Sequence, residues 1–166
     1  MTKKKDKIPQ NIVETIKDIG ENLAMFYLFS KVTRGSDWGV YKNFNESGTD
    51  ILLLRERNNK NLKKVGKIKI EVKTRQRLET TGKEDRTAQF TLSENEWLNS
   101  DFIIGYWVEH NFLFVIPKKE FKNAKNKLKT VYKYTVRISK ITGLLTQNSL
   151  MYQDKWELIR NELKKN

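Results

Sequence analysis

KIKIEVKTRQ, residues 67–76, is the stretch whose reading decides the fold. In a strand, successive side chains point to opposite faces. Ile68, Ile70 and Val72 then line one side, and Lys67, Lys69, Glu71, Lys73 and Arg75 the other. An antiparallel strand with one wet face reads this way. So does a strand that carries Glu71 and Lys73 into a functional site, and the flanking sequence bears on the choice.

Upstream, Asn58, Asn59 and Asn61 are turn formers, preceded by TDILLLRER, an apolar run that fits a strand buried on both faces. A hairpin folding about Lys60 and Asn61 places Asp50 opposite Glu71. Residues so opposed on one sheet face have Cβ atoms roughly 5 Å apart. Two carboxylates at that distance repel unless something positive lies between them. A divalent cation satisfies that requirement, with Lys73 placed to stabilise charge on a phosphate or to assist an attacking water. The alternative is that Lys67, Lys69 and Lys73 offset the two acids in surface ion pairs worth about 0–1 kcal/mol.

Working outward, Ile12, Ile16, Ile19, Leu23 and Phe26 recur at helical spacing, predicting a helix from Ile8 or Asn11 to about Ser30. Gly20 within it costs roughly 1 kcal/mol relative to Ala, which points to close packing there. WGVYKNF reads as a first strand and AQFTLS as a later one. Ser93 and Glu96 form a capping box opening a short helix. FIIGYWVE and NFLFVIP form an apolar hairpin, EFKNAKNKLK a polar helix, and VYKYTVRI another strand. MYQDKWELIRNELKK reads as an amphipathic helix burying Tyr152, Trp156, Ile159 and Leu163. The order predicts a mixed α/β (α+β) fold, a central mixed sheet flanked by helices, in one domain over 1–166 with a basic arm at 1–7.

With 33 Lys+Arg against 20 Asp+Glu the chain carries +13, a charge that favours a polyanionic partner through counterion release. A lysine-rich composition serving solubility alone accounts for the same number. The chain has no Cys, which excludes disulfides, Cys-ligated zinc and Cys nucleophiles. Its one histidine, His110, reads as a hairpin-turn residue, so Ser-His triads and multi-histidine metal sites are disfavoured. A metal here would be held by carboxylates and carbonyls, which suits Mg²⁺ or Mn²⁺. No run approaches the length of a membrane span, and the sequence predicts a soluble, cytoplasmic protein with no membrane partner.

SGTDILLL with Asp50, followed by KIEVKTR with Glu71 and Lys73, resembles the pattern of the PD-(D/E)xK nucleases, the restriction-endonuclease-like superfamily. IGENLA at 19–24 is similar to the Gly-Glu-x-x-Ala found on the first helix of many members, with Glu21 at the matching position. The resemblance covers roughly 11–117 and leaves 118–166 as a C-terminal extension. The usual Pro before the Asp is replaced by Thr49. The resemblance implies a restriction-endonuclease-like core and a Mg²⁺- or Mn²⁺-dependent endonuclease that hydrolyses DNA phosphodiesters in restriction, defence or recombination. Asp50, Glu71 and the Val72 carbonyl would be metal ligands. Lys73 would position or activate water and stabilise the transition state, and Glu21 would hold a metal-bound water or a second ion, with Glu14 a weaker rival. Gln89 is an accessory candidate, against a purely structural role.

Arg75, Arg77, Lys83 and Arg86 follow the motif and could clamp phosphates, or simply belong to a solvated loop. Trp38, Tyr41 and Phe44 could stack on bases or pack in a core. Lys118, Lys119, Lys122, Lys125 and Lys127 are expected on the polar helix, facing solvent. Two further readings share these residues: a Holliday-junction resolvase or repair nuclease, for which a homodimer is expected, and a catalytically silent DNA-binding module. Nothing in the sequence separates DNA from RNA as substrate.

Overall fold

Helix α1 (Gln10–Tyr27) runs into a π-helical segment at Leu28–Thr33 and is followed by three strands, β1 (Trp38–Lys42), β2 (Ile51–Arg55) and β3 (Lys67–Arg75). Then come β4 (Thr87–Ser93), α2 (Glu94–Asn99), β5 (Phe102–Trp107), β6 (Phe112–Pro117), β7 (Lys122–Asn126), β8 (Lys129–Arg137) and two short helices, α3 (Gln147–Leu150) and α4 (Glu157–Leu163). The computed structural model describes residues 9–44, 47–55, 66–76, 86–126 and 129–166.

The decisive hairpin forms in the expected register. Strand β2 pairs antiparallel with β3, Ile51 opposite Ile70 and Leu52 opposite Lys69, which brings Asp50 to the level of Glu71. The central sheet has the order β1-β2-β3-β5-β6. It is mixed because the chain leaves β3, passes through β4 and α2, and returns as β5 parallel to β3, while its other neighbours are antiparallel. A second, three-stranded antiparallel sheet has the order β4-β8-β7.

Both faces of the central sheet are covered at β5, and this explains why all six of its residues are buried. On one face Ile68, Ile70, Val72 and Ile104 pack with Ala24, Leu28, Ile159 and Leu163. On the other, Ile103, Trp107, Phe114 and Ile116 meet Phe90, Leu92 and Val136 of the second sheet. Ring stacking ties outlying parts to these cores. Tyr27 lies flat on Trp156, and Trp97 of α2 on Tyr132 of β8.

Helix α1 forms as expected but packs on a face that its apolar spacing does not mark, and three expectations are corrected. The stripe Ile12, Ile19 and Phe26 does not mark the packed face of α1, since these residues are 40%, 51% and 61% exposed. The helix buries Gly20, Glu21 and Ala24 instead, with Gly20 set directly against Thr74 of β3. Within EFKNAKNKLK, residues 122–126 are not a helix: they form β7, which pairs with β8 from Lys122 opposite Lys133 to Asn126 opposite Lys129, while Lys127 lies outside the described residues. The β-rich VYKYTVR supplies partners for the β7 backbone, and pairing overrides local propensity. Strand β2 buries Ile51 and Leu53 but only half-buries Leu52 and Leu54, since the opposite face is not fully covered. The C-terminal helix is confined to α4, although Tyr152, Trp156, Ile159 and Leu163 are all buried as expected.

A Cβ added at Gly20 would collide with Thr74 Oγ1 on β3. Gly20→Ala therefore destabilises the protein by about 1–3 kcal/mol by overpacking, although Ala is intrinsically the better helix residue by about 1 kcal/mol. Chemical denaturation checks this, and Thr74→Ala in the same chain should recover part of the loss.

Candidate active site

Asp50 is positioned by the turn that precedes β2. Gly48 has φ +84°, and a Cβ there would meet the Asn95 carbonyl oxygen of α2 at 2.9 Å, so the turn requires glycine. Thr49, which stands where the resembling family usually has Pro, is buried and donates its hydroxyl to the Asn99 carbonyl (2.7 Å). Asn43 Nδ2 donates to the Thr49 carbonyl (2.9 Å), and the Asn43 amide to that of Asp50 (2.8 Å). The turn is thus pinned between β1 and α2. Asp50 Oδ2 then accepts the Val72 amide (2.8 Å), locking the aspartate onto β3.

Glu71 stands on the supposedly wet face of β3, yet it is only 4% exposed. Its Oε1 pairs with Lys73 Nζ at 2.8 Å. Its Oε2 is buried without a hydrogen-bond partner among the described residues. Lys73 Nζ also pairs with Glu96 Oε1 at 2.8 Å. Glu96 is the third helical residue of α2, and its other oxygen accepts the Ser93 amide (2.8 Å) in the expected capping box. One carboxylate therefore caps the helix and fixes the lysine.

Glu21 reaches the same region from α1. It is 5% exposed and pairs with Lys42 Nζ at 2.9 Å and Lys17 Nζ at 3.4 Å. Lys17 Nζ lies 4.0 Å from Asp50 Oδ1 and so bridges the two acids. The site is a string of charges, Lys42, Glu21, Lys17, Asp50, Glu71, Lys73 and Glu96, that alternate in sign except where Asp50 meets Glu71.

Burial raises the Glu71 carboxyl to about 7 against the Lys73 ammonium, with Asp50 pushing the same way. Burial likewise raises Asp50, opposed by its hydrogen bond from Val72. Desolvation works to lower Lys73, but the Glu71 and Glu96 carboxylates prevail and raise it, keeping it a cation. Glu96 is lowered despite its burial, by the hydrogen bonds from Lys73 and Ser93. The Glu71 shift has a signed consequence for stability. The stabilisation from its protonated form is complete below pH 4.5 and is lost as pH rises through about 7. In EDTA, thermal stability should fall between pH 5 and pH 8 by on the order of 3 kcal/mol at most, and Glu71→Gln should flatten that profile in a melting series.

The residues present fit a hard cation. Among the described residues there is no ready cage of three carboxylate or imidazole ligands. Mg²⁺, however, typically takes one or two carboxylates and keeps its remaining waters. Asp50 and Glu71 are such a pair, and the orphaned Glu71 Oε2 is an oxygen in need of a partner.

The other sequence-predicted residues are placed less uniformly. Val72 follows Glu71 on β3, with its side chain in the core and its amide donated to Asp50. Arg75 and Gln76 leave the strand with Arg75 Nε and Gln76 Oε1 buried and without hydrogen-bond partners among the described residues. Arg86 donates to the Ser139 carbonyl (3.4 Å), and Arg77 and Lys83 lie outside the described residues. Gln89 is on the exposed side of β4 and is not brought to the carboxylates. Glu14 is exposed on α1 and hydrogen bonds to Gln10. Sequence reasoning missed Lys17, Lys42 and the second role of Glu96. The i,i+4 spacing of Lys17 and Glu21 was a signal for the first; the other two arise from contacts between distant segments.

Together these features define a mixed sheet flanked by helices, with acids and a lysine gathered where β2 begins and β3 runs on. The chain is similar in structure to a bacterial homing endonuclease, I-Ssp6803I, with a TM-score of 0.58 over 92% of this chain and 96% of that one. The two share 17% sequence identity, so the likeness carries the fold. No known protein-family profile matches the chain, and no curated protein is similar to it in sequence. No helix among the described residues is long and apolar enough to cross a membrane.

Proposed function

We propose that the protein is a metal-dependent endonuclease of the PD-(D/E)xK type, hydrolysing DNA phosphodiester bonds with Asp50, Glu71 and Lys73 at its centre. The observation that carries this is the buried Glu71, one oxygen held by Lys73 and the other without a partner, beside Asp50 on the adjoining strand. A structural acid has no reason to be buried half-satisfied, because a lost hydrogen bond costs about 1–3 kcal/mol. The endonuclease with this fold supports the same reading.

When bound, a Mg²⁺ or Mn²⁺ ion supplies Lewis-acid chemistry, drawing charge from a phosphodiester oxygen and making water acidic enough to attack near neutral pH. Asp50 and Glu71 would hold it through carboxylate oxygens, with the Val72 carbonyl as third ligand. Lys73, kept cationic between Glu71 and Glu96, would donate to the phosphate as charge builds and orient the attacking water. Glu21, balanced by Lys17 and Lys42, would hold a water or a second ion at the edge of the site. Cutting both strands of a duplex takes two such sites, so that version of the activity carries a homodimer with it.

The test is incubation of supercoiled plasmid and a four-way junction with Mg²⁺, Mn²⁺ or EDTA. Metal-dependent nicking or linearisation is expected. Preference for the junction would favour a resolvase or repair role over restriction or defence. Tight binding without cleavage in any metal would leave the catalytically silent module.

A further inference from the structure

We infer that the outer face of the β4-β8-β7 sheet is a docking surface for duplex DNA, which it grips and reads beside the cleavage site. The inference rests on the nuclease reading for its biological sense, though not for its test. The inner face of this sheet packs Ala88, Phe90, Leu92 and Val136 into the core. Alternation therefore turns Thr87, Gln89, Thr91 and Ser93 of β4 outward. Cross-strand register places Arg137, Thr135, Lys133 and Val131 of β8 opposite them, and Lys122 of β7 opposite Lys133.

An ordinary wet face would be polar too, but two features go beyond that. No Asp or Glu occurs in β4, β7 or β8, so the outward cations have no carboxylate on their own sheet. Lys122 and Lys133 are directly opposed, an arrangement in which like charges cost stability. A surface that concentrates cations at the expense of its own pairing is complementary to a polyanion.

Shape and position favour duplex DNA as that polyanion. A pair of antiparallel strands fits the major groove, where Gln, Arg, Lys and Thr are base-edge readers. Gln89 and Thr91 on β4, with Thr135, Lys133 and Arg137 opposite or adjacent, supply those groups. Lys122 on the third strand would fall at the groove's rim, against phosphate. At about 3.3 Å per residue, β4 spans roughly 20 Å, close to six base-pair steps. The strand ends at Ser93, the cap of α2, and Glu96 of that helix holds Lys73. The Ser93 end of β4 is thus the end of this face nearest the candidate site. Docking on this face also gives Gln89 a role on the substrate side, away from the carboxylates.

The test is duplex binding in EDTA across a salt series, which needs no cleavage. Lys122→Thr, Lys133→Thr and Arg137→Thr, single and combined, keep β-compatible side chains. The triple variant should weaken binding at least 10-fold and flatten the log–log salt slope by about 3, near one unit per lost phosphate contact. Lys122→Thr alone should weaken binding while holding or raising the melting temperature, because it removes a like-charge pair. Gln89→Ala with Thr91→Ala should relax the preferences recovered from a randomised duplex pool. Unchanged affinity and slope in a folded triple variant would overturn the inference, and unchanged preferences in the double variant would overturn its base-reading part. Binding that depends on this face in a protein that cuts nothing would sustain it while the nuclease reading fails.

Discussion

Asp50→Ala, Glu71→Ala and Lys73→Ala should each lower metal-dependent cleavage by about 10²–10³-fold in plasmid nicking, without unfolding the protein. The magnitude follows from losing a ligand or an electrostatic donor in a site shielded from water, where one such donor is worth about 10²–10³ in rate. Stability should move differently from activity. Glu71 is buried, holds an oxygen without a partner and has its carboxyl pushed up to about 7, so removing it relieves a desolvation penalty. Glu71→Ala should thus melt no lower than wild type at pH 8 in EDTA while still showing this loss of cleavage. Lys73→Ala should melt lower, because it leaves Glu71 and Glu96 without their shared cation. Cleavage by any of the three at wild-type rate would remove the site assignment; a low melting point in Glu71→Ala would mean that the acid is structural.

Gly105→Val should be among the most damaging single changes to the fold, costing about 3 kcal/mol by overpacking. Gly105 pairs with Lys73 across β3 and β5. A Cβ added there would lie 2.6 Å from the Phe90 ring, and Phe90 is fully buried in the second core. The contact is where the β4-β8-β7 sheet is laid on the central one. A branched side chain must push the two sheets apart, and α2 follows β4, so the disturbance reaches Glu96 and Lys73. Urea unfolding should show the stability loss, and cleavage should decline by more than the unfolded fraction explains. A midpoint within experimental error of wild type would show that the sheets are not held at this contact.

Much of the architecture was legible because it rests on local pattern. Alternation in KIKIEVKTR, the asparagines after β2 and the apolar run before them were enough to set the β2–β3 register, and the register alone put Asp50 level with Glu71. The Ser93–Glu96 capping box and the β5–β6 hairpin are equally short-range. The packed face of α1 was not legible, because hydrophobicity pointed to Ile12, Ile19 and Phe26 while contact distance selected Gly20 and Ala24. Strand β7 was misread for a related reason: a lysine-asparagine segment has little preference of its own, and β8 decided its state.

The sequence by itself determined most of the elements, the hairpin register and the candidate trio Asp50, Glu71 and Lys73, since these depend on side-chain alternation or on turn chemistry within a few residues. Only the tertiary structure decided that Glu71 is buried, that Glu96 reaches back to hold Lys73, and that Lys17 and Lys42 balance Glu21. It also decided that β4, β7 and β8 share a cationic outer face. Apart from the i,i+4 pair of Lys17 and Glu21, these are contacts between segments far apart in the chain. Their geometry is set by how two sheets and a helix pack, and packing distance is a property of the assembled layers that no local pattern encodes.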